Sequence, residues 1–249
     1  MRAIALHRLL AIALLAVAPA AAAAQSPLLA ELDVAAAQYH KDPRELDRLR
    51  AELERAVSTD PSPGNWIGLA RVSFLWGDVR AATSEQKLEA YGRGREAGKR
   101  ATELAPRSAA AHFWYATNTG RWAQINGIIR SLFLLSTVRE HLDLAIQLDP
   151  KLTGAYVAAG YVDYEVPGLF GGDLDRAEES FRAALKQLPR FTAARVGLAR
   201  TLAKKGKIAE ARREAQAVLD ETSPENLADW TVKDTRAARQ LLDSLKGKL

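Results

Sequence analysis

The stretch that decides the fold is residues 145–189, AIQLDPKLTGAYVAAGYVDYEVPGLFGGDLDRAEESFRAALKQLP. It predicts a helix over residues 152–165, a turn over 166–172 and a second helix over 173–187. The second helix ends before Pro189, because proline disfavours helical backbone in the residue that precedes it. Ala177, Phe181 and Ala184 recur at helical spacing on one face of the second helix, and Gly160 lies mid-way along the first. Small residues on facing helices allow close approach, so the stretch predicts a tightly packed helical hairpin.

A short pattern, Ala-x4-Pro, repeats along the chain at spacings of 45, 44 and 39 residues. Its four occurrences are Ala56/Pro61, Ala101/Pro106, Ala145/Pro150 and Ala184/Pro189. From Ala177 to Ala211 the spacing is 34 residues. Two-residue alternation of apolar and polar side chains does not persist anywhere, so no strand is predicted. Each hairpin can bury its apolar face only by stacking on the next hairpin, which predicts a solenoid.

These repeats resemble the tetratricopeptide superfamily, whose minimal unit has 34 residues. The last unit (Leu198, Ala199, Leu202, Gly206 and Ala211) keeps that register. The resemblance implies an all-α fold, a right-handed α-solenoid of antiparallel helix hairpins. We expect about five hairpins over residues 25–249, and a scaffold that binds a protein partner without catalysis.

A narrower resemblance attaches to residues 167–173, PGLFGGD, followed by Ala177, Phe181 and Ala184. An extended inter-helix loop ending in Gly-Gly-Asp resembles the T-components of tripartite ATP-independent periplasmic (TRAP) transporters. This resemblance implies a secreted repeat protein that associates with a periplasmic solute-binding protein and contacts an apolar ligand. The chain departs from many T-components because it has no cysteine for a lipid anchor. Residues 120–124, GRWAQ, are also similar to eukaryotic microtubule-associated repeat proteins of similar build.

The N-terminus has the features of a secretory signal. Arg2 and Arg8 precede a short apolar run, and small residues lead to a cleavage site after Ala24. We therefore expect residues 1–24 to be removed and the mature chain to be periplasmic. The alternative is an uncleaved membrane anchor, but the apolar run is short for a bilayer span.

Composition excludes several classes of function. The 249-residue chain has no cysteine, which rules out disulfides, thiolate nucleophiles and cysteine-ligated zinc. Its net charge is +5, and removal of Arg2 and Arg8 leaves 33 bases against 30 acids, an excess too small to indicate nucleic-acid binding. The histidines lack metal-ligand spacing, and nucleotide or nucleophile motifs are absent from the sequence, so no metal, cofactor or enzymatic role is predicted.

Several helix boundaries are predicted elsewhere in the chain. Asp42 caps a helix that starts at Pro43, and a helix over residues 84–105 contains three glycines that indicate either close packing or a break. A helix over 108–129 pairs with one over 132–148. Ser223 caps a last helix that runs to about Lys246.

The strongly apolar segment from Ile128 to Leu135 surrounds Arg130. We expect burial of this segment. The alternative is a surface that faces a partner or a membrane, and self-association through it is a further possibility.

Candidate binding residues come from two groups. Three aromatic residues, Trp122, Tyr156 and Tyr164, suit a groove that is half apolar and half wet, with Phe170 on the adjoining loop. A pocket there predicts, as an alternative function, a carrier or sensor of a small apolar ligand. The last units are basic, and the hypothesis is a docking patch for an acidic partner or anionic headgroups. Its candidate residues are Arg195, Arg200 and Lys204.

Overall fold

The computed structural model describes residues 27–247, and it shows an all-α solenoid of tetratricopeptide-like antiparallel hairpins. The helices are α1 (Pro27–Gln38), α2 (Glu45–Thr59), α3 (Pro63–Val79), α4 (Ser84–Leu104), α5 (Ala109–Ile125), α6 (Ile128–Leu148), α7 (Thr153–Glu165), α8 (Leu174–Gln187), α9 (Thr192–Lys204), α10 (Ile208–Leu219), α11 (Leu227–Asp229) and α12 (Thr235–Ser244). A 3₁₀ turn, Gly168–Phe170, lies between α7 and α8, and a π-helical turn, Trp230–Asp234, joins α11 to α12.

Consecutive helices pack as hairpins, and alternate helices also contact one another. The odd-numbered helices form a row in which α1 packs on α3, α3 on α5 and α7 on α9. Even-numbered helices lie beside them, with the largest contacts between α3 and α4, α4 and α5, and α5 and α6. Among the described residues, buried apolar side chains form four clusters along the stack, and the packing of α6 on α7 links the first hairpins to the later ones.

The central hairpin forms as the sequence predicts. Asp173 precedes α8, and its carboxylate accepts hydrogen bonds from the backbone N–H groups of Asp175 and Arg176 at 2.8 and 3.1 Å. Phe181 is fully buried and wedges between two glycines of neighbouring helices. A Cβ on Gly160 would lie 2.9 Å from the Phe181 ring, and a Cβ on Gly197 would lie 2.3 Å from it. The small residues thus create the space that the aromatic ring fills.

The glycines of α4 serve close packing and do not break the helix. A Cβ on Gly94 would lie 2.1 Å from the Asn118 side chain, and one on Gly98 would lie 2.7 Å from the Tyr115 Cα. The helix runs unbroken from Ser84 to Leu104 with α5 pressed against it. Of the two alternatives the sequence left open, close packing is confirmed.

Three predicted boundaries are wrong. The turn between α5 and α6 lies at Gly127, whose φ of 95° favours glycine, so α6 begins at Ile128 and not at residue 132. Helix α2 begins at Glu45, because Asp42 bonds the Arg44 N–H in a preceding turn. The last helical segment begins at Leu227, where Asn226 provides the cap in place of Ser223.

The predicted signal peptide, residues 1–24, lies outside the described residues. Within residues 27–247, no helix combines the length and apolar character that a membrane span needs.

Candidate protein-interaction surface

The hairpins change length half-way along the stack, and this change exposes part of α6. Helices α4 and α6 each have 21 residues, whereas α7 and α8 have 13 and 14. In an antiparallel hairpin α7 covers only the C-terminal part of α6, and the buried residues of α6 accordingly begin at Val138. The first two turns of α6 therefore extend past the helix that follows.

Large apolar side chains on these two turns are exposed. Ile128 is 61% exposed, Ile129 70% and Phe133 77%. The prediction that the segment is buried is therefore wrong for these three residues, because α7 is too short to cover them. Leu132 and Leu135 are half-buried, as residues on the side of the helix nearer the core. Contiguous exposed apolar side chains on a well-packed helix are typical of a binding surface.

Trp122, near the end of α5, lies between the exposed apolar side chains of α6 and two arginines, Arg95 and Arg130. The guanidinium carbons of Arg95 and Arg130 lie 5.2 and 5.8 Å from the centroid of its ring, within cation–π distance. Trp122 is half-buried. We call Trp122, Ile128, Ile129, Arg130 and Phe133 together the step surface.

The loop between α7 and α8 is rigidly built and holds an apolar tip. Arg139 of α6 and Arg176 of α8 both donate to the Gly171 carbonyl, at 2.7 and 2.6 Å, and both bond one oxygen of Asp163. The backbone N–H of Asp173 donates to the Asp163 carbonyl at 3.0 Å. These bonds order the loop before any partner arrives, which lowers the entropic cost of binding.

The tip of this loop consists of Leu169, which is 91% exposed, and Phe170, which is 44% exposed. The hydrogen bond from Arg139 to Gly171 holds the loop against α6. By helical spacing, Arg139 lies on the same face of α6 as Ile128, Leu132 and Leu135. Phe170, a predicted partner residue, thus lies on an exposed apolar tip of a loop that Arg139 holds against the middle of α6.

The inner side of the solenoid is covered by the chain's own C-terminal segment. Tyr39, in the turn that follows α1, donates to Asp229 at 2.6 Å, and Asn226 donates to the Ala36 carbonyl at 3.5 Å. Lys233 lies 3.5 Å from Asp78 of α3. Residues 226–234 therefore connect the last helices to the first hairpins.

Asp78 is the centre of this connection. It also accepts hydrogen bonds from Tyr91 at 2.6 Å and from Arg121 at 2.7 Å. Burial alone would raise the pKa of Asp78, but the charges of Arg121 and Lys233 outweigh it and hold the pKa below its usual range. Asp78 therefore stays ionised and pairs the two cations on the inner side.

The remaining predicted residues do not join one surface. Tyr164 and Lys204 meet on neighbouring helices, with the ammonium 3.9 Å from the ring centroid and bonded to the Tyr164 carbonyl. Arg195 instead pairs with Glu214 of α10 at 2.8 Å. Arg200 lies on α9 within electrostatic range of Tyr161, whose pKa is raised to about 12 mainly by burial. Two of the three residues of the predicted basic patch, Arg195 and Lys204, thus bind groups within the chain.

Tyr156 lines a cleft of about 490 Å³ between α6, α7 and α8. Five charged side chains also line it: Arg139, Asp143, Asp163, Arg176 and Glu179. Burial, together with the nearby Asp163, raises the pKa of Asp143 against the pull of Arg139. Apolar side chains, among them Leu142, Ile146 and Val162, line the rest of the cleft. The lining is therefore mixed, and the apolar-ligand alternative stays a prediction.

Two histidines that are scattered in the sequence meet in the structure. His112 Nδ1 lies 2.7 Å from His141 Nδ1, and His112 Nε2 lies 2.9 Å from the Pro106 carbonyl. Since a carbonyl only accepts, His112 carries its proton on Nε2 and accepts from His141. Burial and the neighbouring His112 lower the pKa of His141. The pair fastens α5 to α6, and within residues 27–247 no cluster of three metal-ligating side chains forms.

Comparison with known proteins agrees with this architecture. The sequence profile of the family described as regulator of microtubule dynamics protein 1-3 matches residues 28–170, and a tetratricopeptide-repeat profile matches residues 171–229. A crystal structure of a thermophilic tetratricopeptide protein from Thermus thermophilus superposes with a TM-score of 0.63 at 22% identity. It covers 86% of this chain and 97% of that one, and this likeness shows the fold.

Two relatives illustrate the extent of the sequence similarity. Regulator of microtubule dynamics protein 3 of Mus musculus is 27% identical over 222 residues, which covers 77% of this chain and 47% of that protein. Protein 2 of Rattus norvegicus is 32% identical over 106 residues, which covers 39% of this chain and 26% of that protein. The chain spans less than half the length of these relatives. Because the first profile matches more than half of the chain, including residues 120–124, the protein belongs to the family of regulator of microtubule dynamics proteins 1-3.

Proposed function

We propose that this protein is an exported interaction scaffold that binds a protein partner on the step surface. The observation that carries the proposal is the exposure of Ile128, Ile129 and Phe133 on an ordered helix beside Trp122. Exposed aliphatic and aromatic side chains next to arginine and tryptophan have the composition of a binding hot spot. The scaffold needs no catalytic step, because its role is to hold the partner.

The partner proposed first is a periplasmic solute-binding protein. The signal-like N-terminus supports an exported location, and the resemblance of residues 167–173 to TRAP T-components supports a transporter accessory role. The exposed Leu169 and Phe170 at the tip of this rigid loop give that segment a structural use, as a second contact for the partner.

The second candidate function is regulation of microtubule dynamics, which is the function that the relatives' name states. The profile match over residues 28–170 includes the whole step surface, which favours a shared mode of partner binding. The relatives are more than twice as long as the region that matches this chain.

The test is affinity capture of a tagged chain from native periplasmic extract, with partners identified by mass spectrometry. Phe133→Asp places a charge in the centre of the step surface without touching the core, since Phe133 is 77% exposed. Val34→Asp is the matched control, because Val34 is 60% exposed on α1, far along the chain. The proposal predicts a partner that is retained by the control and lost with Phe133→Asp. Equal recovery of every partner with both variants would overturn it.

A further inference from the structure

We infer that the step surface recognises an acidic amphipathic helix, with Arg95 and Arg130 binding its carboxylates while Ile129 and Phe133 contact its apolar stripe. This inference rests on the proposed function and names the chemistry of the partner.

The local charge favours an acidic partner. From residue 105 to residue 139 the sequence contains four arginines and no aspartate or glutamate. These arginines are Arg107, Arg121, Arg130 and Arg139. Arg121 and Arg139 are paired with Asp78 and Asp163, whereas Arg107 and Arg130 form no ion pair within residues 27–247. Arg130 therefore leaves an uncompensated positive charge on the first turns of α6. A partner with the opposite charge is favoured at such a surface, and a basic partner is repelled.

The two guanidinium groups on Trp122 are available to such a partner. In the part of the chain that the structure describes, Arg130 forms no ion pair, and its recorded contact is with the ring. Arg95 approaches Glu96 at 3.5 Å, and its side chain is 28% exposed. Its Nε is buried without a hydrogen-bond partner, so a carboxylate would bind at the terminal nitrogens. A guanidinium stacked on an aromatic ring keeps its N–H edge directed outward, where it can bind a carboxylate with two bonds.

The spacing of the apolar and basic groups matches a helix. Ile129 and Phe133 are four residues apart and lie on one face of α6, so they match an apolar stripe with the same repeat on a partner helix. Both guanidiniums lie within 6 Å of the centroid of one ring. Residues three or four apart on a helix have Cβ atoms about 5–6 Å apart and share one face, so two carboxylates of a single helix can approach the two guanidiniums around this ring.

The probe is a designed, fluorescently labelled peptide of about five helical turns with leucines at helical spacing flanked by glutamates, and its affinity for the full chain is measured by fluorescence anisotropy. A second peptide carries glutamine at every glutamate position. We expect the glutamine peptide to bind about tenfold more weakly, because it loses the charge-assisted hydrogen bonds. The double variant Arg95→Gln/Arg130→Gln is expected to lose a similar factor for the glutamate peptide and little for the glutamine peptide.

Arg107→Gln is the matched control, since Arg107 is exposed in the same acid-free stretch but at the other end of α5. Arg130→Lys keeps the charge and loses the planar fork, so it should fall between the native chain and the glutamine variant. Equal binding of both peptides, or equal losses with Arg107→Gln, would overturn the inference. Retained folding is checked by circular dichroism for each variant.

Two further results separate this inference from the proposed function. If Phe133→Asp abolishes peptide binding while the two peptides bind equally, the step surface binds partners but the assignment of an acidic partner is wrong. If phosphatidylglycerol vesicles bind the chain with the same dependence on Arg95 and Arg130 and the peptides do not bind, the occupant is an anionic lipid surface and the inference fails.

Discussion

Replacement of Gly197 by alanine tests whether the hairpins pack as closely as the structure shows. The added Cβ would lie 2.3 Å from Phe181 Cε1 and 2.5 Å from Cζ, well inside van der Waals contact. The ring is fully buried and also abuts Gly160, so it has no free space to move into. Overpacking of this kind costs about 1–3 kcal/mol, and the alanine recovers about 1 kcal/mol of helix propensity. Because the ring is held between two glycines, we expect the upper part of this range and a net destabilisation of up to about 2 kcal/mol.

Replacement of a second helical glycine, Gly120, should change the free energy of unfolding in the opposite direction. A Cβ on Gly120 would approach Val138 no closer than 3.9 Å, which is ordinary contact. Gly120→Ala should therefore stabilise the protein by about 1 kcal/mol through helix propensity alone. Urea unfolding followed by far-ultraviolet circular dichroism measures both variants under the same conditions.

A double-mutant cycle with Phe181→Leu tests whether the clash with the Phe181 ring causes the destabilisation by Gly197→Ala. Leucine lacks the ring atoms that the new Cβ would meet, so Gly197→Ala should become neutral or stabilising in that background. The coupling free energy between the two positions should be about 2 kcal/mol. If Gly197→Ala and Gly120→Ala raise stability equally in the native background, the close packing of α8 between α7 and α9 is refuted.

The loop, the C-terminal segment and one buried carboxylate give three other predictions. Gly172→Ala would place a Cβ 1.7 Å from the Val166 carbonyl oxygen, so hydrogen exchange should accelerate in residues 166–173 and stay unchanged in α9. Lys233→Met removes the contacts of the ammonium to Asp229 at 2.5 Å and to Asp78, at a cost of about 1 kcal/mol. Hydrogen exchange in residues 226–234 should accelerate, and unchanged exchange there would contradict the connection. Burial raises the pKa of Glu178, but hydrogen bonds from Lys205, Arg182 and Lys207 outweigh it and lower the pKa from its ordinary 4.5 to about 2. This stabilisation is complete above pH 4.5 and is lost as the pH falls toward 2, so Glu178→Gln should flatten the acid limb of the stability curve, and an unchanged limb would contradict the assignment.

The sequence predicted the central hairpin well because its signals are local. Asp173 caps α8, and Pro189 lies just beyond its end. Gly206, with a φ of 77°, ends α9 as the pattern indicated. The repeat of alanine and proline also identified the solenoid, since each repeat carries the same small residues at the hairpin contacts.

The sequence did not reveal the exposure of the first turns of α6. An apolar run of the form IIRSLFLL predicts burial, but only the length of the neighbouring helix decides whether that helix covers the run. The signal was present in the spacing of the Ala-x4-Pro repeat, which falls from 45 and 44 residues to 39, and in the 34 residues from Ala177 to Ala211. Where a longer repeat is followed by a shorter one, the end of the longer helix extends past its neighbour. Side chains on that end are then exposed.

Contacts between distant residues were also beyond sequence reasoning. His112 and His141 are 29 positions apart, and Tyr39 and Asp229 are 190 apart, so no local spacing connects either pair. Such contacts depend on how the hairpins stack, which the helix pattern alone does not specify.

Site-specific photocrosslinking tests the central claim, that a protein partner binds at the step surface, most directly. A photoreactive amino acid replaces Ile129 in one chain and Val34 in a second, two exposed apolar positions on different helices. After irradiation in native extract, we expect a defined crosslinked protein from the Ile129 position that is absent from the Val34 position and is suppressed by Phe133→Asp. The same crosslinked protein from both positions, or none from the Ile129 position while a partner still copurifies, would contradict the claim.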